Sequence, residues 1–164
     1  MVLEFLRWLQ NTPFIDSITS STNLSSTVWL LHYLGTFLLF GTIVFVDLRV
    51  LGLAGRRQSA AQLAGQLLPW MWWGLALAVS SGFLIFAGYP AQYFLATVFR
   101  IKLWLFLFAV ASGVIVQRNV PRWDRLPAMP AGAKLVALVS LLLWIGTMIA
   151  SVEVPNYVAI SPGS

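Results

Sequence analysis

The sequence predicts an all-α fold: an integral membrane four-helix bundle with an N-terminal amphipathic interfacial helix. Two observations carry that prediction. Of the 164 residues 59% are apolar and 9% charged, with a mean hydropathy of +0.84, far greasier than an ordinary globular domain. Four runs, at 28–46, 67–88, 98–116 and 135–152, approach or reach the roughly 20 apolar residues that a helix needs to cross a hydrocarbon core. Lipid offers no partners to backbone N–H and C=O groups, so such runs cross as helices.

Ahead of the first span, LEFLRWLQNTPFI (3–15) sets Leu3, Phe5, Leu6, Trp8 and Leu9 among polar residues. It is too short to span and suits an amphipathic helix lying in the interface. The stretch SITSSTNLSST reads as a linker, which divides the chain into an interfacial helix and linker (1–26), the bundle (27–154) and a C-terminal tail (155–164). The start MVLEFLRWLQ lacks a basic n-region, an h-region and a small-residue cleavage site, so it is not read as a signal peptide and the first span is expected to direct insertion.

Pro69 is expected in the first turn of the second span, and Pro90 after Gly88 to end it, leaving YPAQYFLATVF as a loop. The connection NVPRWDRLPAMPAGAK, with three prolines, reads as turns with no helix of its own. Six tryptophans, Trp29, Trp70, Trp72, Trp73, Trp104 and Trp144, lie mostly near span ends, where indoles favour the interface.

The formal net charge is +5, and its placement speaks for topology. Seven cations, Arg49, Arg56, Arg57, Arg118, Arg122, Arg125 and Lys134, fall on one side of the bundle, against Arg7, Arg100 and Lys102 on the other. The positive-inside rule then predicts that both termini face outward. The basic loops are expected to meet lipid phosphates, and no nucleic-acid motif competes with that reading.

The chain has no cysteine and one histidine. Disulfides, iron–sulfur clusters, thiolate metal sites and covalent heme attachment are thereby excluded, and a zinc or copper site drawn from this chain alone falls short of ligands. No G-x-S-x-G, H-E-x-x-H or phosphate-binding glycine loop is present. Ser80 and Ser81, beside Gly82, read as helix packing.

The residues that remain are ionisable groups inside the spans. His32 is followed by Gly35 at i+3 and Thr36 at i+4, a notch that is expected to turn the imidazole inward. Arg100 and Lys102 are about 200° apart round a helix and cannot share a face. Lys102 lines up with Phe106, Ala109 and Gly113 and is the interior candidate, whereas Arg100 lies on a bulkier stripe and suits a phosphate anchor. Glu153 shares a stripe with Ala150 and Gly146 and is also expected to face inward. Asp47, near the other end of the first span, is expected to meet a loop arginine such as Arg118.

Together His32, Lys102 and Glu153 would form a polar cluster at one mouth of the bundle. An imidazole there is a candidate ligand of heme b, with Gly35 giving room and Lys102 or Arg100 meeting the propionates. Met148 is the candidate second axial metal ligand beside His32, at the right depth but off the stripe of Glu153; Met71 lies too far toward the other end. The alternative is that Lys102 and Glu153 pair while His32 bonds a backbone carbonyl or interfacial water.

The pattern HYLGTFLLFGTIVFVDLRVLGLA, followed by LLPWMWWGLALAVSSGFLIF and FRIKLWLFLF, resembles an uncharacterised family of bacterial four-span inner-membrane proteins. The spacing of His32, Gly35 and Gly41, with Lys102-Leu103, is distantly similar to the membrane protoporphyrinogen oxidase family and to the membrane domain of copper-resistance D proteins. The first resemblance implies heme at His32 and Lys102, the second copper. The leading expectation is a heme b module for electron transfer, possibly quinone-linked, working as a homo-oligomer or as a subunit of a membrane complex. A structural or assembly subunit without its own cofactor, and an accessory role in copper handling, are the alternatives.

Overall fold

The computed structural model describes residues 2–55 and 57–160, and among them no strand is formed. The helices are α1 (Val2–Gln10), α2 (Pro13–Ser20), α3 (Thr22–Leu51), α4 (Ala60–Gly88), α5 (Pro90–Leu95), α6 (Thr97–Trp123) and α7 (Ala131–Ile160). Of these, α3, α4, α6 and α7 are long and apolar enough to cross a membrane. At 1.5 Å per residue a 30-residue helix is about 45 Å long, so its ends extend beyond the hydrocarbon. The chain is a small multi-pass integral membrane protein.

The helices run further than the hydropathy boundaries. The expected linker is itself helical: α2 begins on Pro13, and Ser21 caps α3 by accepting the Leu24 N–H at 3.4 Å. Pro69 lies well inside α4, since Ser59 and Gln62 start that helix with a reciprocal capping box. Pro121 likewise lies within α6, which leaves only 124–130 between α6 and α7. A short helix, α5, occupies the expected loop after Pro90. At the other terminus α7 continues through Pro155 to Ile160, and 161–164 of the tail lie outside the described residues. Arg56 of the basic loop and Met1 also lie outside them.

Two antiparallel pairs, α3 with α4 and α6 with α7, make up the bundle, and α3 packs on α7 to join them. The α3–α4 crossing is unusually close. A Cβ on Gly35 would stand 2.6 Å from the Ala78 backbone nitrogen, and one on Gly74 2.6 Å from that of Leu39. Without a strong hydrophobic drive in lipid, this intimate backbone contact holds membrane helices together.

The apolar core lies almost wholly toward the end that carries the α3–α4 and α6–α7 connections, called here the loop end. It gathers Leu39 to Val50 of α3, Ala60 to Met71 of α4, Ala109 to Val120 of α6 and Ala133 to Trp144 of α7. That end is also tied by a tertiary cap. Asp124, after α6, accepts the N–H groups of Ala60 and Ala61 at 3.0 and 3.2 Å, at the start of α4. Gly52, at φ 82°, closes α3 by donating its N–H to Arg49.

The opposite end, called the termini end, is closed by the short helices. Leu6 of α1, Ile15 of α2 and Tyr93 of α5 are buried there. Phe86 stacks on Phe99 at 5.6 Å, and Tyr93 lies against both rings.

Candidate functional site

His32 stands on α3 at the termini end, about one turn after the start of the apolar run at 28, and its ring reaches across to α4. Nδ1 lies 3.0 Å from the Ala78 carbonyl and 3.3 Å from Ser81 Oγ. A carbonyl can only accept, so Nδ1 carries the proton, and in the neutral ring the lone pair sits on Nε2. Ser81 donates its own hydroxyl to Leu77 and is free to accept from the imidazole. The ring lies against Gly82, where a Cβ would stand 3.0 Å from Cε1 and 3.2 Å from Nδ1. Trp29 meets the ring edge-on at 6.4 Å, and Tyr33 lies at the same distance. No hydrogen-bond partner engages Nε2 among the described residues.

The glycine against the imidazole is therefore Gly82 and not Gly35. The space beside Gly35 is taken by the α4 backbone, so Gly35 sets the helix spacing that brings Ala78 under His32.

Lys102 of α6 is half-buried, and its ammonium is close enough to act electrostatically on the His32 ring. Arg100 is exposed and holds Thr97 Oγ1 at 3.1 Å through Nη2. The two thus diverge as their spacing requires, Lys102 toward the bundle and Arg100 outward. Around them α6 is loosely embedded: 17% of its most apolar stretch is buried, against 39% for α3. None of its residues before Ala109 is fully buried.

Glu153 does not join this cluster. The buried side of α7 runs through Ala133, Ala137, Ser140, Trp144, Thr147, Ala150 and Val154. Glu153 falls just off that stripe, is exposed, and meets Asn156 Nδ2 at 3.5 Å, with no ion pair to Lys102. Met148 is half-buried on α7 and makes no hydrogen bond or ring contact with His32. Among the described residues no three of His, Cys, Asp and Glu gather as a metal site.

Three tyrosines crowd the termini end. Tyr93 is buried, and burial, followed by the nearby phenols of Tyr89 and Tyr33, pushes its phenol up from the ordinary value.

The largest departure from expectation lies at the loop end. Asp47 does not meet Arg118, which is exposed; the aspartate is 0% exposed and neither carboxyl oxygen has a partner. Its position is readable afterwards. Asp47 follows Ile43 by four residues and precedes Val50 by three, so it shares their buried side of α3. Ser140 lies between Ala137 and Trp144 in the same way on α7, and its Oγ and the Trp144 Nε1 are also buried without partners.

Comparison with known proteins returns no match: no family model, no curated protein and no solved structure is similar to the chain at a significant level.

Proposed function

We propose that this membrane protein is a heme b module in which His32 Nε2 would hold the iron and Lys102 would meet a propionate, with Arg100 at the rim. The observation that carries this reading is the clamp on Nδ1. Its bond to the Ala78 carbonyl holds one tautomer and one ring orientation and leaves the lone pair of Nε2 uncommitted, the arrangement that second-shell bonds impose on ligating histidines. Gly82 supports the reading by letting the ring seat closely against α4, which a larger residue there would displace.

The chain would offer such a heme one nitrogen donor, since one histidine is present and Met148 makes no hydrogen bond or ring contact with it. A bound heme would supply one-electron chemistry. The work of the chain's own residues is to present Nε2, to place a positive charge beside it through Lys102, and to hold the α3–α4 spacing through Gly35 and Gly74. The loosely embedded half of α6 leaves a side open to lipid, which suits exchange with a membrane-soluble redox partner such as a quinone, or contact with a second copy or a partner subunit.

The orientation proposed with this function puts the seven-cation side in the cytoplasm of a bacterial inner membrane and the His32 site toward the periplasm. Tags at both termini, probed from outside in spheroplasts, are expected to be accessible; protected tags would reverse the placement.

The decisive experiment is an absorption spectrum of the protein purified after heme-replete expression, wild type beside His32→Ala. A Soret band in wild type that is lost in the variant supports the proposal. Equal spectra, with or without a band, overturn it. Lys102→Ala is expected to keep the band but weaken heme retention on dilution.

A further inference from the structure

We propose that Asp47 and Ser140 form a cation-binding site within the loop-end half of the bundle, and that the cation bound there is a proton. This site is separate from His32 and does not rest on heme binding.

The geometry leaves a charge to account for. Asp47 and Ser140 are both 0% exposed, both Oδ atoms and the Oγ lack partners, and the serine hydroxyl adjoins the carboxyl without completing a hydrogen bond. A narrow crevice beside Asp47 is walled by Ile43 and Val46 on α3, Leu68 on α4, and Gly113 and Val116 on α6, and Ser140 meets the carboxyl from α7, outside that lining. An ionised carboxylate in such a place has lost its water and gained nothing for it, so a cation must complete the site.

No side chain supplies that cation. On α3, Arg49 is two residues on, turned roughly 200° away, and gives its Nε to the Gln58 carbonyl at 2.8 Å. Helix α4 carries no titratable residue. The cations of α6 toward this end, Arg118 and Arg122, are exposed, as is Lys134 of α7. Asp124 is engaged in capping α4, and Arg100, Lys102, Glu153 and Tyr157 lie in the termini-end half.

Size and ligand number select the proton over a metal ion. The crevice is too narrow to admit a water molecule, and two carboxyl oxygens with one hydroxyl fall short of the six or more oxygens that hard cations gather. A proton needs one oxygen. Bound to one Oδ it makes an O–H donor, and the Ser140 Oγ beside it is an unused acceptor.

The test uses the full chain in lipid nanodiscs with 13C at the aspartate carboxyls, of which there are three, Asp16, Asp47 and Asp124. Infrared and carbon NMR spectra are recorded near neutral pH, in H2O and D2O, with and without sodium. One protonated carboxyl is expected, with a C=O stretch that shifts in D2O, ignores sodium, and disappears in Asp47→Asn. Ser140→Ala, which leaves the carboxyl in place, is expected to shift the same band and serves if Asp47→Asn fails to fold; His32→Ala is expected to leave it unmoved. Three ionised carboxylates, or a protonated carboxyl that Ser140→Ala does not affect, would overturn the proposal. A sodium-dependent shift of the Asp47 signal would also overturn it, by making the occupant a metal ion.

Discussion

The two ends of the bundle are built on different principles. At the loop end four helices close on a continuous apolar core from Leu39 to Trp144, and Asp124 of one hairpin caps the first turn of the other. At the termini end the same helices carry His32 and Lys102, α6 has no buried residue before Ala109, and closure is left to the short helices. The difference teaches that close packing is concentrated at one end of the helix axes. The well-packed end encloses its core on all four helices, while the end with less core leaves His32 Nε2 without a hydrogen-bond partner among the described residues and Lys102 half-buried.

Substituting one tryptophan in each half tests this division most strongly. Trp144, 2% exposed and edge-on to Phe106 at 5.9 Å, should cost about 3–5 kcal/mol on replacement by alanine. Trp104, 61% exposed, should change stability by no more than about 0.5 kcal/mol. Denaturant titrations in a common detergent measure both, and comparable losses would erase the distinction.

A smaller effect is expected at the crossing of α3 and α4. Gly74→Val directs a side chain at the Leu39 backbone, which cannot step aside, and should cost on the order of 3 kcal/mol. Gly41→Ala meets nothing within 4 Å and should gain up to about 1 kcal/mol from helix propensity. Thermal unfolding followed by circular dichroism separates the two, and a neutral Gly74→Val would show that the close contact is dispensable.

Smaller again is the tertiary cap. Asp124→Ala should cost about 1 kcal/mol, as loss of an N-cap does. Although burial works against the charged form, bonds from the Ser59 hydroxyl and from the Ala61 and Ala60 N–H groups, with the Arg49 charge, hold the Asp124 carboxyl below its ordinary value. A lowered carboxyl pKa stabilises the fold above the unfolded value of 3.8, and that contribution fades as pH falls through the lower folded value. Wild type should therefore lose stability relative to Asp124→Asn on acidification below about pH 4. Parallel unfolding curves for the two proteins through that range would remove Asp124 from the account.

The mildest test is Gly82→Ala. Its Cβ would stand 3.0 Å from His32 Cε1, so the ring must shift by a few tenths of an ångström. Stability should change by less than about 1 kcal/mol, while heme retention, if Nε2 is the ligand, falls measurably in the same preparation. Unchanged retention would mean that the ring's seat on Gly82 does not matter for binding.

Much of this contrast is invisible in the sequence, for identifiable reasons. Hydropathy reports where a helix enters lipid and says little about where it stops, so Pro69 and Pro121 are misread as boundaries; both sit inside helices whose capping and length are set by Ser59, Gln62 and the tertiary packing. The inward turn of Lys102 and the outward turn of Arg100 follow from their spacing and are legible. Glu153 is misplaced because its small neighbours Ala150 and Gly146 suggest an inward face, whereas the buried side runs from Ala150 to Val154 and leaves Glu153 exposed. Asp47 is misassigned because a charge near a span end, with arginines beyond it, looks like a surface pair.

Composition and the four apolar runs determined by themselves that the chain is helical and crosses the membrane, because lipid leaves an unpaired backbone no other solution. The single histidine and the missing cysteines bounded the chemistry equally early. Only the tertiary structure decided which glycine lies beneath the imidazole, which nitrogen of that ring is free, and that Asp47 is enclosed without a partner. Those facts depend on the phase at which one helix meets another, and that phase is set by contacts such as Gly35 against Ala78, which no single helix encodes.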